Sequence, residues 1–125
     1  MKNLNLIAAL LISCFSFTAL AHTLDNIMVI ATEKAKGSIS AGEKNFYTKQ
    51  FEIALSNSGN PIDLAHTCLK AFSIEGKEFK LDTVDEDLVK GELKSGKLLK
   101  GMVVFSSKDG AVHNANLIKI STHCK

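Results

Sequence analysis

Large apolar side chains recur at every second position through Phe51-Glu52-Ile53-Ala54-Leu55, so a pleated strand puts Phe51, Ile53 and Leu55 on one face that must be covered. The strand pattern runs from Lys44 to Ser56 and stops at Asn57-Ser58-Gly59-Asn60-Pro61, residues that accept turn geometry or cannot continue a ladder. A second apolar run, Cys68 to Ile74, leads to the turn Glu75-Gly76-Lys77. Glu78-Phe79-Lys80-Leu81-Asp82 then alternates charged and apolar residues, as the other half of a hairpin would. Further strands are predicted over Asp25–Thr32, Lys97–Phe105 and Val112–Thr122. The unbroken apolarity of the first of these points to burial between layers or to a change of sheet. Gly37–Gly42 reads as a flexible connection with at most a short edge segment, and Gly101 as a bulge or a close backbone approach. Thr83 and Glu86 stand at capping-box spacing, which predicts one helical turn over Thr83–Val89. Many short strands separated by turn signals, with little helical periodicity, predict an all-β antiparallel two-sheet sandwich.

The amino-terminal stretch does not fit that pattern. Lys2 precedes a largely apolar run from Leu4 to Leu20, and Ala19-Leu20-Ala21 ends it with small residues at the −3 and −1 positions. This is the form of a secretory signal peptide spanning residues 1–21, cleaved between Ala21 and His22, with residues 22–125 as the single folded domain. A retained anchor is the competing reading, against which stand the shortness of the apolar run and the lack of a following basic cluster. Lipidation at Cys14 is another, since Leu11-Ile12-Ser13-Cys14 loosely fits the required pattern. The expected location is the periplasm, with no membrane anchor after cleavage. In that oxidising compartment two cysteines remain, Cys68 and Cys124, and an even pair in an exported chain implies a disulfide closing over half of the domain.

An apolar strand ending at Asn57, then Asn60-Pro61-Ile62-Asp63-Leu64, Gly76-Lys77-Glu78-Phe79, Leu93-Lys94-Ser95-Gly96-Lys97, Lys100-Gly101-Met102-Val103-Val104-Phe105 and Ile118-Lys119-Ile120-Ser121 through Cys124-Lys125 form a familiar series. The series resembles the immunoglobulin-like sandwiches of small exported bacterial proteins and, more narrowly, a family of this length whose function is unknown. The likeness covers Asp25 to Lys125. It implies an immunoglobulin-like sandwich of about seven strands, and it carries no catalytic residues to transfer. The tryptophan that packs on the disulfide of antibody domains is absent.

The chemistry legible in the chain is sparse. All 15 basic residues are Lys, the formal charge is +2, and one Tyr with no Trp leaves little for base stacking, so nucleic-acid binding is not expected. Both cysteines of the folded domain are committed to the bridge, and no serine lies in a nucleophile-elbow pattern, so no catalytic residue and no cofactor site is assigned. The acidic connector Asp82, Asp85, Glu86 and Asp87 lacks the glycine and alternating oxygen ligands of a calcium loop and reads as solvated. The sharpest alternative is copper: a terminal His22 could chelate the metal through its amino group and imidazole, with His66, His113 or His123 completing the set. The remaining class is interaction through sheet edges, and the lysine-studded strands Lys77–Asp82 and Lys97–Lys100 read as edges protected against pairing. The expectation is an exported, non-enzymatic binding or interaction module, its partner an unidentified protein or small ligand.

Overall fold

The computed structural model describes residues 24–124. The leader 1–21, Cys14, the Ala21–His22 junction and Lys125 lie outside the described residues. Among the described residues eight strands follow one another: β1 Ile27–Ala41, β2 Lys44–Asn57, β3 Ile62–Asp63, β4 Cys68–Phe72, β5 Glu78–Val84, β6 Glu92–Leu93, β7 Leu98–Ser107 and β8 Leu117–Ser121. Six form one antiparallel sheet in the order β1-β2-β7-β5-β4-β8, and β3 pairs with β6 in a small second sheet. The large sheet curls until β1 and β8 lie side by side without a ladder between them. The fold is all-β, antiparallel and sandwich-like.

Period-two alternation explains the core. Phe51, Ile53 and Leu55 of β2 stand in register with Val103, Gly101 and Leu99 of β7, and Phe51 meets Phe105 edge to face with ring centroids 6.3 Å apart. Leu69, Ala71, Phe79 and Ile118 close the other side of the curl. Leu64, Leu88 and Val112 are supplied by three short helical turns, Leu64–His66, Glu86–Leu88 and Gly110–Asn114. At the corner after β2, Asn57 is buried and fully engaged. Its Nδ2 donates to the carbonyls of Asn60 and Leu93, both at 2.9 Å, and its Oδ1 accepts from Gly59 N at 2.8 Å. A residue read as a turn former is therefore a knot that closes its own corner and ties it to β6.

Several boundaries differ from the sequence expectation. β1 is an edge strand with only Ile27 buried, so its apolar run is not sandwiched between layers; Met28 and Ile30 point outward and are exposed. Residues 37–41 continue β1 in register with residues 44–48 of β2, so the expected flexible connection shrinks to the turn at Gly42, whose φ of 65° suits glycine. Glycine and serine do not forbid a strand when a strong partner zips against them. The helical turn is shorter than expected: Thr83 is extended and pairs with Val104, and the turn begins after Asp85. The last strand starts later too, because Val112 is held in a turn capped by Asp109, whose carboxylate accepts from Ala111 N at 3.0 Å. Lysine-studded β5 and β7 lie inside the sheet, and the edges are β1 and β8. Their charge alternation marks a solvent-facing side of the sheet rather than its border.

Gly101 is a close approach rather than a bulge, since its pairing with Ile53 is regular and the ladder irregularity falls between Leu81 and Thr83. A Cβ built at Gly101 would stand 2.7 Å from Leu88 Cγ and 3.2 Å from Asp85 Cβ. Gly101→Ala is therefore expected to destabilise by about 1–3 kcal/mol. The double variant with Leu88→Ala should show less than the sum of the two single losses in urea denaturation.

Candidate functional site

On β2 the odd-numbered residues from Tyr47 to Leu55 point into the core, so the even-numbered ones must face outward. Phe46 and Thr48 thus lie on the outer face, beside Ile39 of β1 and Ser106 of β7, with Lys80 and Asp82 of β5 beyond. This end of the face is concave. The result is a groove of about 450 Å³ with Ile39 and Phe46 as its apolar wall and Lys80, Lys108, Asp82 and hydroxyl groups around it. A smaller recess of about 210 Å³ shares Phe46 and Lys108 and adds Lys44 and Asn45.

The electrostatics of the groove are one-sided. Four lysines outside the groove meet carboxylates, Lys36 and Lys49 on Glu33, Lys77 on Asp109 and Lys90 on Glu86, while Lys34, Lys70, Lys94, Lys97, Lys100 and Lys119 stand more than 4.0 Å from any among the described residues. Among the described residues Lys44, Lys80 and Lys108 have no such partner within 4.0 Å. Asp109, next in sequence to Lys108, is turned away to cap Ala111 N and to face Lys77. That backbone hydrogen bond, followed by the Lys77 charge, holds the Asp109 carboxyl below its usual range.

The β1 wall of the groove is fastened from behind. Lys49 is 5% exposed although it is a lysine, and its Nζ donates to the carbonyls of His113 at 3.1 Å and Ala115 at 2.6 Å while pairing with Glu33 Oε1 at 3.1 Å. His113 also places Nε2 3.2 Å from Gly37 O, and its ring meets Tyr47 edge-on with centroids 5.7 Å apart. Together these contacts bind the Gly110–Asn114 turn to the stretch of β1 that carries Ile39. The Lys49 hydrogen bond lowers the Glu33 carboxyl from its usual value of 4.5. A depressed folded-state value contributes stability that is present above the unfolded value and lost as pH falls through the folded one. Glu33→Gln should therefore show a shallower loss of stability than wild type in denaturation series run below pH 5, the region about its usual value of 4.5.

The residues singled out from sequence are scattered. Cys68 and Cys124 are bonded, with Cα atoms 5.7 Å apart, on the far edge of the sheet. His66 is exposed against Asp63 at 3.3 Å, His113 serves the lock described above, and His123 lies in the tail after β8. His22 lies outside the described residues. The acidic connector is divided: Asp82 faces the groove, Asp85 accepts from Met102 N at 2.8 Å, and Glu86 pairs with Lys90. Among the described residues no group of three or more His, Cys, Asp or Glu side chains is placed to hold a metal ion.

Residues 1–122 match the family model described as "Domain of unknown function (DUF4354)". The chain belongs to this family. A crystal structure of an ApaG protein from Pseudomonas aeruginosa is similar to it, with a TM-score of 0.75 and 42% sequence identity, over 80% of this chain and 98% of that one. No curated protein matches. In this DUF4354 domain the groove and the lysine lock both escaped the sequence reading, although each had left a signal. Adjacent aromatics on a strand must face opposite ways, so Phe46-Tyr47 places one ring outside the core. Lys49 shares the parity of Phe51, Ile53 and Leu55, which puts a charge on the buried face and obliges it to find acceptors.

Proposed function

We propose that this DUF4354 protein is an exported, non-enzymatic binding module that takes a small ligand in the groove around Phe46. The observation that carries the reading is the groove itself: about 450 Å³, an apolar wall of Ile39 and Phe46, and lysines left without carboxylates at its rim. Its size falls in the range of small-molecule sites, and an apolar concavity with a few polar groups is the usual form of one. Nothing in the groove pairs a nucleophile with a base, which favours binding over turnover. Export rests on the leader pattern of residues 1–21 and on the Cys68–Cys124 bridge, which suits an oxidising compartment. Among the described residues no helix is long and apolar enough to cross a membrane.

A thermal-shift screen of small molecules tests the binding site. A compound that binds the folded state raises the unfolding temperature by mass action. Compounds that do so for wild type are expected to lose the effect in Phe46→Ala, whose own unfolding temperature should change little because Phe46 is only partly buried. Equal shifts in both proteins would place the ligand elsewhere.

A further inference from the structure

The geometry points to a small organic anion with a flat apolar body as the ligand of the Phe46 groove. This rests on the groove being the binding site and adds the chemistry of what fills it. Three ammonium groups, Lys44, Lys80 and Lys108, surround the two joined recesses, against a single lining carboxylate, Asp82. Of the carboxylates next in sequence to these lysines, Asp109 is already held by Ala111 N and faces Lys77, and Glu43, beside Lys44, lines neither recess. Unneutralised like charges along a concave surface with a low-dielectric wall concentrate the opposite ion. A bare inorganic anion would leave Ile39 and Phe46 uncovered, and Ile39 is 54% exposed. A neutral apolar molecule would cover the wall and leave the lysines unanswered. A molecule with both parts satisfies both sides: its ring lies on Phe46 and Ile39, and its carboxylate or sulfonate reaches Lys80 and Lys108.

The polar groups around the groove narrow the description. Ser107 Oγ is occupied, bonded to Asp109 O and accepting from Val112 N at 3.0 Å. Thr48 and Ser106 are the hydroxyls facing the recess that remain for a ligand's polar atoms. The cations are lysines rather than arginines, compact charges on flexible stems that do not impose bidentate geometry. The site therefore selects by sign of charge and by an apolar face, and tolerates variety in the shape of the anionic group.

Three matched probes separate these ideas: 2-naphthoate, the neutral 2-naphthamide, and cationic 2-naphthylmethylamine, titrated by isothermal calorimetry into wild type, Phe46→Ala and the double variant Lys80→Gln/Lys108→Gln. Both lysines are exposed, so the double variant should fold, and its circular dichroism and unfolding temperature verify this. Naphthoate is expected to bind wild type about ten-fold more tightly than the amide at low salt, with the cation weakest. That advantage should fall to within about two-fold in the double variant and shrink as ionic strength rises. Phe46→Ala should weaken acid and amide alike. Equal binding of acid and amide to wild type, both lost in Phe46→Ala, would overturn the anion inference and leave the groove reading standing. No binding of any probe to wild type, or binding untouched by Phe46→Ala, would overturn both.

Discussion

Replacing both half-cystines, as Cys68→Ser/Cys124→Ser, is expected to lower the unfolding free energy by about 4 kcal/mol. The bridge spans 56 residues of sequence and so removes a large share of the unfolded chain's freedom. Its place in the fold adds a local reason. Cys68 opens β4 opposite Ser121 of β8, and β8 is an edge strand with a ladder on one side only. Cys124 follows that strand in the tail, so the bond pins the otherwise free end of the sheet against its neighbour. For a domain with net stability on the order of 5–15 kcal/mol, a loss of this size brings the folded state close to failure at body temperature. Guanidinium denaturation with and without reductant measures it. Reduced and oxidised protein differing by less than about 1 kcal/mol would show that the tail needs no covalent tether.

The second large effect is expected at Lys49. Its ammonium has three acceptors, two of them carbonyls of the Gly110–Asn114 turn and of Ala115, which is itself buried. Lys49→Met keeps much of the stem and removes the charge, which leaves those carbonyls without a donor inside the protein. Hydrogen bonds to charged groups are worth about 1.5–3 kcal/mol, and an orphaned buried acceptor adds its own cost, so a loss of about 3 kcal/mol is expected. Arginine should not restore it, because a planar fork does not reproduce three convergent bonds from one nitrogen. Glu33→Gln should cost much less, since Glu33 is half exposed, Lys49 keeps its two carbonyl acceptors, and the glutamine oxygen can still accept from it. The loss at Lys49 should also loosen residues 37–41, read as faster amide exchange there than in β7. Lys49→Met as stable as wild type would mean that the lock is ornamental.

Much of this molecule was legible from alternation alone. The odd-numbered residues from Phe51 to Leu55 announced a covered face, Gly76 a hairpin turn, and Cys68 with Cys124 a bridge across the chain. What alternation leaves open is which side of a strand carries its partner. The charge pattern of Lys77–Asp82 looks the same on an inner strand with one wet face as on an edge, and β5 turned out to be inner. The extension of β1 past Gly37 depended on a partner strand long enough to hold it, which a window confined to Gly37–Gly42 does not contain. The groove was hidden for a related reason: its wall joins Ile39, Phe46 and Lys80, residues brought together only by strand order and curl. Individually each reads as an ordinary surface residue.

The claim that the Phe46 groove is where this protein meets its ligand is most directly tested by a two-dimensional amide spectrum recorded during titration with 2-naphthoate. Shift changes are expected to gather at Ile39, Phe46, Thr48, Lys80, Ser106 and Lys108. Changes gathered instead along the open seam between β1 and β8, at Ile27, Val29, Ile118 and Ile120, or no changes at all, would contradict it.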